Sequence, residues 1–357
     1  MSARADRTQE LLPGAGIDLL LVSNLVNVRY LTGYTGSNGI ALIGPSTRAF
    51  ITDFRYVEQA AEQVDRAFDR RRAPLELFES VAEALPGGDL RLGFEDAHVS
   101  VRQHARLREL VPERVELVGV DGIVESLRAV KDPEELERIR GAAAIADAAL
   151  EQLIAGGLVG RTERQLALEL EHEMRSLGAE RPGFDTIVAA GAHGALPHAT
   201  PREVEVARGQ LVVFDWGAEL DGYRSDCTRT IAAGAISDEA NAVYELVLAA
   251  QIAGVNAIRA GVAARHADAA AREVIDAGGH GERFGHGLGH GVGLEIHERP
   301  RLSRRSEDEL RAGNVVTVEP GIYVPGEFGV RIEDLVVVTA GGRDVYTSIG
   351  KDLIVAD

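Results

Sequence analysis

The sequence predicts an α/β N-terminal domain over residues 1–125, followed by a second domain over residues 126–357 that mixes capped helices with acid-bearing hairpins. Three observations carry this reading. At 357 residues the chain exceeds one comfortable hydrophobic core. Apolar strand-like runs alternate with helical stretches up to about Val120. Beyond that point the pattern changes, with a helix start at Asp132-Pro133-Glu134-Glu135.

In the first domain, residues 17–23 read as a buried strand, and GIALIG and AFITD as two more, split by a turn at Gly44-Pro45-Ser46. A helix from Tyr56 to about Val64, the strand LRLGFE and a helix from about Ser100 to Leu110 complete the alternation. The glycine-rich stretch Thr32-Gly33-Tyr34-Thr35-Gly36-Ser37-Asn38-Gly39 could cradle an anion, but a plain turn is the favoured reading. No dense group of histidines and carboxylates falls here, so the domain is assigned no chemistry.

In the second domain, Asp132 as N-cap, Pro133 at the first helical position and two following acids open an alanine-rich helix. It stops at Gly156-Gly157. Thr162 and Gln165 form a capping box for the next helix, which ends near Leu177-Gly178. Two more helices are expected over 237–260 and from about Arg265 to Ala277.

Composition narrows the function classes. The hydrophobic share of 45% and charged share of 26% are those of a globular chain. A net charge of −18 disfavours a nucleic-acid or anionic-membrane surface. Cys227 is the single cysteine, which excludes an intrachain disulfide and fits a reducing compartment. MSARADRTQELLPGAG lacks the apolar core of a signal peptide, and IDLLLVSNLVNV is too short and too polar to span a bilayer. A cytoplasmic protein with no membrane partner is expected.

The chemistry centres on Leu211 to Ile231, an apolar strand, a turn and a return strand carrying Asp215 and Asp226. Asp221-Gly222 is a strong hairpin signal. A two-residue loop pairs positions whose numbers sum to an odd value, so both carboxylates fall on one face, opposed or two residues offset. Two ionised carboxylates that close need a shared proton, a basic partner or a cation.

Three further segments add candidates. Gly285 to Gly293 places glycine at every second position around His286 and His290, with Glu295 and His297 following. That spacing is not a dinucleotide fingerprint, and it excludes a helical metal pair. The glycines are expected to let the backbone approach a ligand and leave the imidazoles uncrowded. Glu319 and Glu333 each interrupt an apolar run, where a carboxylate is costly unless paired or ligating. A salt bridge from Arg331 to one of them is the simple alternative, though it cannot serve every acid. The loop Gly191 to His198 contributes His193 and His198. Two aspartates, two glutamates and one histidine on strands and glycine-rich segments suit two divalent cations bridged by carboxylates, Mn²⁺ or Co²⁺ rather than structural Zn²⁺. Such a pair implies metal-assisted hydrolysis.

The order and contexts VVFDWGAELDGYRSDCTRT, GHGLGHGVGLEIHE, VVTVEPGIY and VRIEDLVVV resemble the creatinase/aminopeptidase P and prolidase family of pita-bread metallopeptidases. NVRYLTGYTGSNG and FITDFRYVEQA are similar to that family's smaller N-terminal domain. The resemblance implies an α+β pita-bread catalytic domain behind the α/β domain. It implies Asp215, Asp226, His290, Glu319 and Glu333 as ligands of two metal ions, with Asp226 bridging. Mn²⁺ is the first choice, with Co²⁺ or Zn²⁺ as alternatives. Glu319 would also shuttle protons, His198 and His297 would line the substrate pocket, and His286, Tyr323 and Arg331 would support it. His193 receives no role. The implied reaction is cleavage of the Xaa-Pro bond at the N-terminus of dipeptides or short peptides, by a protein that is commonly a homodimer. Creatinase-like amidinohydrolases without metal and inactive peptide-binding relatives are the alternative, and both typically lack metal ligands that this sequence retains.

Overall fold

The computed structural model describes residues 2–357. Two compact units emerge, Met1–Arg128 and Ala129–Asp357. The division falls after Arg128 rather than at 125 because the short helix Ile123–Arg128 belongs with the first unit. Arg128 at its end donates to Asn27 Oδ1 at 2.7 Å.

The first unit is built on a mixed six-stranded sheet in the order 69–72, 47–52, 39–44, 19–22, 90–95, 115–120. Leu19, Leu21, Leu42, Ile51 and Leu92 are buried in its core. Four helices of this unit had no counterpart in the sequence reading: Val81–Ala84, Ile123–Arg128, Ser2–Leu11 and Leu25–Thr32. The last of these has plain termini: Asn24 Oδ1 accepts from Val26 N at 3.0 Å, and Gly33 closes it at φ 83°. The stretch 32–39 is a turn. Gly33 ends the helix there, the Tyr34 ring packs on Phe50, and the Asn38 carbonyl accepts from Tyr34 and Thr52.

The second unit repeats one theme twice, a helix pair packed on a sheet. Helices Pro133–Ala155 and Glu163–Ser176 cover strands Ile187–Ala190, Gln210–Trp216 and Cys227–Ala233. Helices Asp238–Ala257 and Ala264–Ala277 cover a five-stranded sheet in the order 298–302, 289–291, 315–318, 334–339, 342–345. The expected caps are present: Asp132 and Glu135, like Thr162 and Gln165, form reciprocal capping boxes. The helix after Ser237 stops at Ala257, three residues short of the expected end, where Ile258 turns extended. Among the described residues no helix is long and apolar enough to cross a membrane.

The hairpin turn is Asp221-Gly222, with Leu220 paired to Tyr223 and both turn residues at positive φ, 49° and 78°. The register continues down the ladder, so Thr228 lies opposite Asp215 and Asp226 is offset by two residues on the same face. The ladder is interrupted at Gly217, between the strands Gln210–Trp216 and Ala218–Leu220, where a Cβ would lie 1.9 Å from the Ser225 carbonyl oxygen. Only glycine allows that approach, and it sits between the two aspartates.

Candidate metal centre

Asp215 and Asp226 come from the first half of the second unit, and His290, Glu319 and Glu333 from the second half. The second hairpin uses an odd-length loop, Pro325-Gly326-Glu327, between Val324 and Phe328. The pairs Val318 with Asp334 and Gly321 with Arg331 set Glu319 and Glu333 facing each other across the ladder. Both hairpins therefore turn their acids toward one place.

The convergence is close. Carboxylate oxygens of Asp215, Asp226 and Glu333 lie within 4.8 Å of one another. His290 Nε2 lies 3.3 Å from Glu319 Oε1 and 3.6 Å from Asp226 Oδ2. His290 Nδ1 donates to the Gly291 carbonyl at 3.1 Å, which leaves the lone pair of a neutral ring on Nε2, facing the acids.

Burial strains these charges. It pushes the Asp226 carboxyl well above the usual carboxylate range, with Glu333, Asp215 and Glu319 adding to the shift. Glu333 is driven up by burial and then by Glu319 and Asp215, and Glu319 is raised chiefly by burial. Burial likewise holds His286 and His290 below the ordinary imidazole range, which favours the neutral, ligating form.

The buried cation beside them, Arg331, hydrogen-bonds one of these acids, Asp215. Arg331 donates to Asp215 Oδ2 at 2.6 Å, to the Tyr323 hydroxyl and Thr228 Oγ1 at 3.0 Å each, and to the Pro197 carbonyl at 3.2 Å. The expected alternative of an Arg331 bridge to a glutamate is thus corrected: its partner is an aspartate. Asp215 Oδ1 and Glu333 Oε1 are buried without a hydrogen-bond partner. Two orphaned carboxylate oxygens beside a surplus of negative charge are what a divalent cation satisfies. The donor set of carboxylates with one imidazole therefore fits a divalent cation.

The other expected residues divide between the pocket and its support. His286 Nε2 accepts from the Tyr323 hydroxyl at 2.9 Å while its Nδ1 donates to the Gly287 carbonyl, so this ring holds Tyr323 and, through it, Arg331. His297 is exposed and meets the His290 ring edge-on at 4.3 Å. His198 is exposed on the loop after Gly191–Ala195. Both line a cleft of about 810 Å³ that contains all five ligand candidates, the size of a small-molecule site. His193 points away from it and is buried against Glu163 at 2.9 Å.

Of the glycines of 285–293, Gly287 and Gly289 line the cleft, and some are also packed against neighbouring backbone. A Cβ on Gly289 would sit 2.1 Å from the Thr317 carbonyl oxygen, and on Gly291 2.2 Å from that of Arg299. At these two positions a side chain would collide with the adjoining strands, so glycine lets the strand bearing His290 pack between them.

Sequence reasoning missed two threonines. Thr228 Oγ1 donates to Glu333 Oε2 at 2.7 Å, and Thr317 Oγ1 donates to Glu319 Oε1 at 3.0 Å while accepting from His290 N. Each lies two residues from a ligand on the same strand face, so the alternation that paired the aspartates could have found them. Behind the site, Arg229 and Asp334 form a buried ion pair at 2.9 Å, extended by Lys351, Thr347 and Gln251.

Comparison with known proteins gives the family. Residues 137–340 match metallopeptidase family M24, and residues 4–130 match the creatinase/prolidase N-terminal domain. The chain is 42% identical over 353 residues to the uncharacterized peptidase YqhT of Bacillus subtilis, covering 99% of each. A solved Xaa-Pro dipeptidase from Bacillus anthracis superposes with a TM-score of 0.96 at 41% identity over 99% of each chain. An X-Pro aminopeptidase from Thermotoga maritima superposes at 0.90 with 37% identity, over 98% of this chain and 100% of that one.

Proposed function

The chain belongs to metallopeptidase family M24 and is a metal-dependent peptidase, and from that premise we propose that it hydrolyses the Xaa-Pro bond at the N-terminus of dipeptides or short peptides. The observation that carries this is the convergence of Asp215, Asp226, His290, Glu319 and Glu333 around two orphaned, buried carboxylate oxygens. These five residues would hold two divalent ions, Mn²⁺ before Co²⁺ or Zn²⁺. When bound, the ions acidify water and polarise the scissile carbonyl.

The chain's own groups supply the rest. Glu319 has its carboxyl raised by burial and steadied by Thr317, which suits a group that takes up and returns a proton. His198 and His297 stand at the cleft wall, where they orient the peptide and face its developing negative charge. The chain His286–Tyr323–Arg331–Asp215 fixes the angle of the Asp215 carboxylate. A prolyl imide offers no N–H, so recognition falls to the carbonyl, the termini and the pyrrolidine. The same reading takes the protein as a cytoplasmic homodimer acting on short proline-containing peptides.

The test is hydrolysis of an Xaa-Pro dipeptide against an Xaa-Pro-Yaa tripeptide with Mn²⁺, Co²⁺ and Zn²⁺ in turn. Metal-dependent cleavage of at least one, abolished by Glu333→Gln, is expected. Intact peptides under all three metals would overturn the reading.

A further inference from the structure

Glu163, the first residue of the helix Glu163–Ser176, plays no part in the chemistry above, yet its side chain is fully buried and ionisable. Its carboxylate collects donors from both ends of one loop. Oε1 accepts from Ala190 N at 2.9 Å and Oε2 from Arg202 N at 2.9 Å. The His193 ring reaches both oxygens, at 3.0 and 2.9 Å, and the Arg202 guanidinium adds a bond of 3.1 Å to each. Burial alone would raise this carboxyl, but the bonds from Arg202, Ala190 and His193 hold it below the usual range.

A buried carboxylate is costly, and apolar packing could join a helix to a strand without one. What a carboxylate adds is geometry, because two fixed oxygens pin two backbone N–H groups twelve positions apart in the chain. The pinned segment, 190–202, carries His198 at the cleft wall and the Pro197 carbonyl that accepts from Arg331.

We propose that Glu163 is a positioning residue for the reaction: it clamps both ends of the 190–202 loop and so fixes where His198 meets the peptide. The proposal rests on the reading above in which His198 lines the substrate pocket. Glu163→Gln replaces one acceptor oxygen with a donor that faces donors, and the loop loosens. The five candidate metal ligands lie outside this loop, so metal content should stay at the wild-type value.

The experiment is a double-mutant cycle on the metal-loaded, full-length protein with an Xaa-Pro dipeptide. Glu163→Gln and His198→Ala are made singly and together, and amide hydrogen exchange is followed over residues 190–202. Glu163→Gln is expected to lower kcat/KM about tenfold, in the range seen when outer hydrogen-bond partners of a site are removed. In the His198→Ala background the same change should cost no more than about twofold, the mark of residues acting as one unit. Exchange at Ala190 and Arg202 should accelerate. Arg202→Ala, whose side chain is half exposed, guards against a fold defect and should show a smaller loss with the same dependence on His198. An equal cost of Glu163→Gln with and without His198, or wild-type activity in His198→Ala, overturns the proposal. Absence of hydrolysis by the wild type would instead remove the functional reading on which it stands.

Discussion

Replacing Asp226 with asparagine should make the metal-free protein more stable, although most buried substitutions do the opposite. Asp226 is buried among Asp215 and Glu333, with oxygens no more than 4.8 Å apart, and two unit charges at that separation repel by about 3.5 kcal/mol at an effective dielectric of 20. The native site escapes part of this by holding protons, which is why burial and its acidic neighbours raise the Asp226 carboxyl. The residual gain from asparagine should be roughly 1–3 kcal/mol, or about 2–4 °C in Tm for each kcal/mol in a domain of this size. Because the folded-state pKa lies above the unfolded one, the native state binds more protons in between and loses stability as pH rises through that window. The advantage of Asp226→Asn should therefore be absent near pH 4 and grow as the pH is raised. Metal reverses the order: at 100 times its Kd an ion adds about 2.7 kcal/mol to a chain that can bind it. Thermal melts of both proteins, in chelator and in Mn²⁺, read all of this. A variant less stable than wild type in chelator at pH 8, or equal shifts with Mn²⁺ in both, would refute the argument.

Two further substitutions probe the support of the site. Thr228→Val keeps the shape but removes the donor to Glu333 Oε2 and the acceptor of Arg331, so metal affinity should fall about tenfold in a competition titration. Unchanged affinity would show that Thr228 does not orient Glu333. Gly217→Ala puts a methyl group 1.9 Å from a backbone oxygen between the two aspartates, and should cost about 3 kcal/mol or more in urea unfolding together with metal binding. A cost below about 1 kcal/mol would mean that the hairpin relaxes at that point.

Much of the centre was legible because β-structure converts residue numbers into faces. Asp221-Gly222 sets a two-residue loop, and Asp215 and Asp226 then share a face whatever the surrounding fold. The same counting with the three-residue loop Pro325-Gly326-Glu327 brings Glu319 and Glu333 together, and applied consistently it would have found Thr228 and Thr317. Capped helices such as Pro133–Ala155 were equally plain, since Asp132, Pro133 and Gly156 mark both ends. The helix Leu25–Thr32 escaped because its apolar, β-branched run follows a strand directly, though Asn24 and Gly33 bound it. Other features depend on distant partners. Nothing local assigns His286 to Tyr323, the glycines of 289–291 to neighbouring carbonyls, or Arg331 to Asp215 rather than to a glutamate. His193 could not be told from a pocket histidine until Glu163 was seen beside it.

The central claim is that five side chains hold a pair of divalent ions on which Xaa-Pro hydrolysis depends. Stripping the protein with chelator and titrating Mn²⁺ back, with bound metal and dipeptide hydrolysis followed on the same samples, tests it directly. Two ions bound per chain, activity that appears only as they bind, and loss of both in Glu333→Gln are predicted. Full hydrolysis by the stripped protein, or activity complete with no metal retained, would contradict the account.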